Sequence, residues 1–226
     1  MKLLLDTANL EDIRYFNTYY PIVGVTTNPS ILAHEGGDVL ELLKNIRAII
    51  GNDKELHVQI VETEYEKMIE EAHAIVKFLG KNTFVKIPAT DTGLKVTSHL
   101  SDMGIGVTVT AVLSAGQALL AANAGAHYVA PYVSRLENLC DDGVGVIADI
   151  AEILSTGYST EILAASFKTA KEVLDVALVG AHASTISSSV FKNLLRHSTT
   201  DTSIAGFASD WKNAFGDHTL LELIKG

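Results

Sequence analysis

The chain has 226 residues, 47% hydrophobic and 19% charged, with 17 Lys and Arg against 27 Asp and Glu for a formal net charge of −10. That length buries one large core and leaves too little for two comfortable domains, while the acidic balance argues against nucleic acid or an anionic membrane as a partner. A single Cys excludes an intramolecular disulfide, only Leu3, Leu4 and Leu5 separate Lys2 from Asp6, and no run approaches 18 apolar residues, so the expectation is a cytoplasmic protein without a membrane span.

In chain order, short runs rich in Val, Ile, Thr and Tyr predict eight strands, at 3–6, 23–27, 56–61, 83–88, 106–111, 128–132, 161–166 and 182–186. Their starts lie 20 to 33 residues apart, about the length of one strand-plus-helix unit. Between them, Thr63 with Glu66 and Thr169 with Glu172 spell the T-x-x-E capping box, and Asp38 with Glu41 is a variant of it. Alanine and leucine dominate 117–124, and Gly80, Gly104, Gly125, Gly157 and Gly180 stand where helices should end. Eight such units fill the chain with almost no insertion, which favours a closed single-domain (β/α)8 barrel over a doubly wound sheet. Residues 143–148 fit G-x-G-x-x-A, but they follow Asp141 and Asp142 in a predicted loop rather than a strand, so the dinucleotide reading fails. The stretch from about 205 through Trp211 to Phe215 predicts an extra C-terminal helix, followed by an apolar tail at 219–224.

Strand alternation assigns faces. If Val85 and Ile87 pack against outer helices, Lys86 points into the barrel with Phe84. The same rule puts Asp6 with Leu4, Gln59 with His57, Thr110 with Thr108, Tyr132 with Ala130, and Ser166 with Ala164 on inward faces, and Thr26 and Asn28 complete the second strand and its loop. All lie near the C-terminal ends of their strands, where barrel active sites form. Lys86 has two readings: a snorkelling lysine or one paired with Asp6, or an amine that desolvation makes reactive toward a ketone. In the second, it forms a Schiff base whose protonated nitrogen is an electron sink. The polar residues converging on one mouth favour the second.

Other chemistries find less support. The eight His residues contain no pair at i,i+2, i,i+3 or i,i+4, so metal-ligand spacing is missing from the sequence, and His57 and His182 read as satisfied core histidines. Ser166 lacks a G-x-S-x-G elbow. Cys140, followed by two aspartates that should raise its thiol pKa, reads as a loop residue.

The segments Asp6-Thr7-Ala8, Gly24-Val25-Thr26-Thr27-Asn28-Pro29-Ser30, Val85-Lys86-Ile87-Pro88 and Ala164-Ala165-Ser166-Phe167-Lys168, in that order, resemble the transaldolase family, and most closely its small fructose-6-phosphate aldolase branch. The resemblance runs from residue 3 to about 216 and implies a class I aldolase barrel with Lys86 as the Schiff-base lysine, working without metal or organic cofactor. Transaldolases of this family carry Glu on the third strand, where this chain has Gln59. They usually carry Ser-Pro-Phe on the sixth, where it has Ala130-Pro131-Tyr132. Gln59, Ala130 and Tyr132 resemble the aldolase version. A neutral amide can orient water but not exchange protons with it, so the proton work passes to the Tyr132 phenol.

The resemblance further implies a role for each residue. Lys86 attacks the C2 ketone of a sugar phosphate, and Tyr132 moves protons through a water held by Gln59 and Thr110. Asp6 accepts the C4 hydroxyl proton, Asn28 and Thr26 hold the substrate, and Arg135, Ser166 and Lys168 bind the phosphate. It also implies homo-oligomeric rings of five or ten, with the helix and tail at about 205–226 against a neighbouring subunit. The substrates would be a sugar phosphate and dihydroxyacetone. Two rivals stay open: a transaldolase passing the dihydroxyacetone unit to an acceptor aldehyde, and a non-catalytic sugar-phosphate-binding barrel.

Overall fold

The computed structural model describes residues 1–138 and 142–225; Cys140 and Asp141 lie outside the described residues. Eight parallel strands close into a barrel in chain order: β1 (Lys2–Asp6), β2 (Gly24–Thr26), β3 (Glu55–Gln59), β4 (Thr83–Pro88), β5 (Val107–Val112), β6 (Tyr128–Pro131), β7 (Glu161–Ala164) and β8 (Ala183–Ile186). Each corresponds to one of the eight predicted runs. Pairing of β1 with β8, Leu4 opposite Thr185, shuts the sheet and leaves no edge.

Both faces of the strands are covered, which is why they read as apolar runs. Outward-facing Val85, Ile87, Val107, Val109, Val129 and Ile162 pack in one cluster with Met68 and Ala72 of α4 (Tyr65–Leu79) and Val96 and Leu100 of α5 (Asp91–Asp102). Ile147 and Ile150 of α8 (Gly143–Ser155) belong to the same cluster. Inward-facing Leu4, Tyr128, Leu163 and Ala183, with Phe84 against them, form a second cluster that plugs the barrel. Lys86 and Asp6 stand two residues beyond Phe84 and Leu4 on the same faces, so the polar mouth begins where the apolar plug ends.

Helix starts follow short polar side chains. Asp38 accepts from the N–H groups of Leu40 and Glu41 at the head of α3 (Val39–Ile50). Thr169 and Glu172 form the predicted reciprocal capping box at α9 (Ala170–Leu178). The box predicted at Thr63 is not formed, because α4 begins at Tyr65, one residue too late, with Glu64 at its cap. The N–H groups of Val61 and Glu62 are instead taken by the carboxylate of Glu71 at 3.0 and 2.9 Å. Gly80, Gly104, Gly125, Gly157 and Gly180 all sit at helix ends with positive φ, the left-handed turn that glycine adopts without steric cost.

Two further expectations change. Residues 143–148 are not a loop: they open α8, capped by Asp142 through the Gly145 N–H, and among the described residues the element before them is a helix, α7 (Val133–Asn138), rather than a strand. A Cβ on Gly143 would lie 2.7 Å from the Val133 carbonyl oxygen, so glycine there serves helix approach rather than a dinucleotide. The barrel unit spans Met1–Phe191, and the chain from Lys192 forms a second compact unit. In it the C-terminal helix, α11 (Ser198–Phe215), starts seven residues before the predicted 205, where the His197 side chain accepts the Thr199 N–H. The polar stretch 198–203 hid this start from a hydrophobic-periodicity reading. The tail carries a short helix of its own, α12 (Leu220–Lys225), headed by a Thr219–Glu222 capping pair. Among the described residues, no helix is long and apolar enough to cross a membrane.

One glycine bears on the site. In the first turn of α5, directly after β4, a Cβ on Gly93 would stand 2.1 Å from the Pro88 carbonyl oxygen. Gly93→Ala is expected to destabilise the protein by about 1–3 kcal/mol as backbone gives way. A thermal melt superimposable on the wild type would contradict that close approach.

Candidate active site

The C-terminal ends of the strands surround a cavity of about 140 Å³. Lys86 lies at its wall, 6% exposed, and Nζ donates to the Thr27 carbonyl oxygen at 2.7 Å. Burial pushes the Lys86 pKa down, and the negative charge of Asp6 opposes that without reversing it. The Asp6 carboxyl, half-buried beside it, is pushed up by desolvation against the opposing pull of Lys86 and of the Thr26 hydroxyl. Two desolvated groups of opposite sign thus each sit closer to their neutral forms than in water.

Asp6 is held by a relay. Thr26 Oγ1 donates to Asp6 Oδ1 at 2.6 Å and stands 2.6 Å from Thr185 Oγ1. A hydroxyl has one proton, so with Thr26 donating to Asp6, Thr185 is the donor to Thr26. Thr185 lines the cavity and was missed by the sequence reading. The signal was present, since Ala183 faces inward in the plug and alternation along β8 puts Thr185 on the same face.

Asn28 caps α2 (Pro29–Glu35), its Oδ1 accepting the Ile31 N–H at 2.9 Å, so its carboxamide nitrogen is the donor that remains for a ligand. Across the mouth, Tyr132 hydroxyl and Thr110 Oγ1 are 3.1 Å apart. Thr110 precedes a register shift between β5 and β6, with Ala111 at φ 58°, a bulge that turns the strand end. The Arg135 guanidinium lies over the Tyr132 ring, 5.0 Å from its centre.

The structure therefore brings Asp6, Thr26, Asn28, Lys86, Thr110, Tyr132, Arg135 and Ser166 to one cavity. It places the other two candidates differently. Gln59 is half-buried on the strand beside Lys86 and in register with it, but outside the residues that line the cavity. Lys168 is exposed, and its Nζ donates to Asn138 Oδ1 at 3.3 Å, away from the lining. Ser166 is in the cavity for a reason other than the one expected. Ala164 packs outward in the barrel–helix layer, so the inward residues are Leu163 and Ala165. Ser166 reaches the mouth because its backbone turns left-handed, φ 65°.

Beneath Lys86 the barrel interior is satisfied internally. His57 is fully buried, with Nδ1 2.9 Å from Thr108 Oγ1 and Nε2 3.2 Å from Glu55. Burial holds its pKa down, with Glu55 opposing and the Lys86 charge adding to the fall. His182 Nδ1 accepts the Ile162 N–H at 3.1 Å. His57 is thus the satisfied core histidine expected of it, whereas His182 is exposed and is not a core residue.

Comparison with known proteins gives the family. The family model described as transaldolase/fructose-6-phosphate aldolase matches residues 3–221. A "Probable transaldolase" of Clostridium acetobutylicum is 44% identical over 216 residues, 95% of this chain and 99% of the relative. One from Symbiobacterium thermophilum is 42% identical, covering 96% and 99%, and one from Brevibacillus brevis 43%, covering 93% and 98%. Among solved structures, a mandelate oxidase superposes with a TM-score of 0.58 at 13% identity, over 82% of this chain and 64% of that one. The chain thus spans under two thirds of the oxidase, and that likeness shows the barrel fold alone. With a matching model over nearly its whole length and relatives above 40% identity, the chain belongs to the transaldolase/fructose-6-phosphate aldolase family.

Proposed function

We propose that the protein is a class I aldolase that reversibly cleaves fructose 6-phosphate to dihydroxyacetone and glyceraldehyde 3-phosphate through an imine at Lys86. The observation that carries this reading is a lysine buried at the barrel mouth, its pKa lowered by desolvation, facing a carboxyl that burial keeps basic. A neutral amine can keep one N–H on the Thr27 carbonyl while its lone pair meets the substrate. Nζ adds to the C2 carbonyl, and loss of water gives the protonated imine. The electron pair of the C3–C4 bond then flows to that nitrogen as Asp6 takes the C4 hydroxyl proton, releasing glyceraldehyde 3-phosphate. Protonation of the remaining enamine at C3 and hydrolysis return dihydroxyacetone and the free amine. Tyr132, set by Thr110, is the proton donor and acceptor for these water-dependent steps, with Gln59 orienting the water from beside Lys86. Asn28 and Thr26 hold the substrate, and Arg135 with Ser166 receives the phosphate, Arg135 as a forked cation in an otherwise acidic protein. Lys168 would act only as a charge at the rim.

A second reading is favoured by the relatives, which are named transaldolases: the same enamine would attack an acceptor aldehyde instead of taking a proton. Fructose 6-phosphate without acceptor separates the two. Free dihydroxyacetone at turnover rates supports the aldolase, and a strict need for an acceptor supports the transferase. The resemblance further leads us to propose a cytoplasmic homo-oligomer in which the exposed apolar residues Ile204, Phe207, Leu220 and Ile224 are covered by another copy.

A pH dependence follows from the Lys86–Asp6 pair. Imine formation needs the unprotonated amine, so its rate rises with pH through the Lys86 pKa. The Asp6 charge raises that pKa, so Asp6→Asn should move the acid limb of imine formation to lower pH, read as borohydride-trapping rate against pH. A limb that stays in place or moves to higher pH would show that Asp6 does not act on Lys86 in this way.

A further inference from the structure

We propose that Glu172 is a positioning residue for the phosphate end of the cavity, buckling α7 to the β7–α9 connection and so fixing Arg135 relative to Ser166; this rests on the reading of those two as phosphate ligands. A helix-capping glutamate needs only the N–H of its cap residue, and Glu172 has that bond, from the Thr169 N–H at 3.0 Å. The same carboxylate does two further things. It accepts the Lys168 N–H at 2.7 Å, and both of its oxygens lie 3.1 Å from Ser134 Oγ, 38 residues away in sequence.

Those anchor points flank the phosphate candidates. Ser134 is 2% exposed, on α7 immediately before Arg135, and Lys168 lies two residues beyond Ser166. The Ser134 N–H donates to the Ser166 carbonyl oxygen at 2.9 Å, and the Val133 N–H to that of Ala165 at 2.9 Å. Ser166 is a non-glycine residue at φ 65°, a conformation that persists only where the surroundings over-determine it. Glu172 supplies that constraint from the far side of the turn, Ser134 from the near side, and the Glu172–Ser134 bond joins the two. Loosening the buckle lets α7 and the connection drift apart, and a two-point contact to a phosphate loses its geometry, whereas Lys86 and Asp6, on β4 and β1, are untouched.

The experiment compares kcat/KM for fructose 6-phosphate with that for unphosphorylated fructose, and the inhibition constant of inorganic phosphate, in the full-length wild type and five variants. Ser134→Ala and Glu172→Ala are expected to lower the phosphorylated-to-unphosphorylated ratio by about tenfold, mostly through KM, and to weaken phosphate inhibition alike. Glu172→Gln should retain most of the ratio, because its amide oxygen can accept the two backbone N–H groups while its NH2 donates to Ser134 Oγ. Thr169→Ala, which removes the other half of the capping box, should lower Tm without moving the ratio. Arg135→Ala runs beside them: an unmoved ratio there overturns the phosphate reading itself. A fall with Arg135→Ala, but no more change in Ser134→Ala and Glu172→Ala than in Thr169→Ala, overturns the buckle alone.

Discussion

Lys86→Met is expected to keep the barrel and to lose turnover by roughly 10⁴-fold or more, the cost of removing a covalent nucleophile outright. Methionine is unbranched like lysine and one atom shorter, so it fits the space of a side chain that is only 6% exposed. Two terms decide the stability of the variant. The ammonium no longer has to be desolvated, which favours the variant. The Thr27 carbonyl loses its donor and Asp6 its opposite charge, which costs about 1–3 kcal/mol for an unsatisfied buried group. These nearly cancel, so circular dichroism should be native and Tm should move by only a few degrees. A Lys86→Met protein turning over within tenfold of wild type would remove Lys86 from the chemistry.

The second large effect is at Tyr132. Tyr132→Phe deletes one oxygen and is expected to slow aldol cleavage by about 10²–10⁴-fold, the usual worth of a positioned general acid or base. The ring stays beneath Arg135, so the cation–π contact and the phosphate end survive, and KM for fructose 6-phosphate should change little. The Thr110 hydroxyl loses its 3.1 Å partner at a cavity open to water, a loss that solvent makes good. The signature is thus a kcat effect with a nearly constant KM. A variant at wild-type rate would assign the proton transfers to another group, with Asp6 the nearest in chemistry.

Most of the frame could be read from the chain because one periodic rule governs it. Alternation in a parallel strand put Phe84 and Lys86 on one face and Val85 and Ile87 on the other, and both clusters in the fold follow that division. The rule holds only while the backbone is extended. At Ser166 it is not, and the residue arrives in the cavity through a left-handed turn that no polar pattern announces. Thr185 illustrates the opposite case, because alternation along β8 would have found it, but a threonine in an apolar run carries no chemistry of its own to draw the eye. Lys168 shares a strand-end segment with Ser166, yet its exposed side chain extends to Asn138, since two residues of connection beyond Ser166 suffice to leave the mouth. The Glu172–Ser134 bond was beyond sequence reach for a different reason: the T-x-x-E pattern explains Glu172 completely as a cap, and its second partner is brought near only by closure of the barrel. The early start of α11 was hidden similarly, since Ser198, Thr199, Thr200 and Asp201 give no apolar stripe.

An imine at Lys86 is most directly tested by borohydride reduction of the full-length protein in the presence of fructose 6-phosphate, followed by peptide mass analysis. The expected result is one irreversible adduct, of a reduced dihydroxyacetone or fructose 6-phosphate unit, on the peptide that contains Lys86, with loss of activity in proportion to labelling and no adduct in Lys86→Met. Full activity after reduction, or labelling at any other lysine, would contradict it.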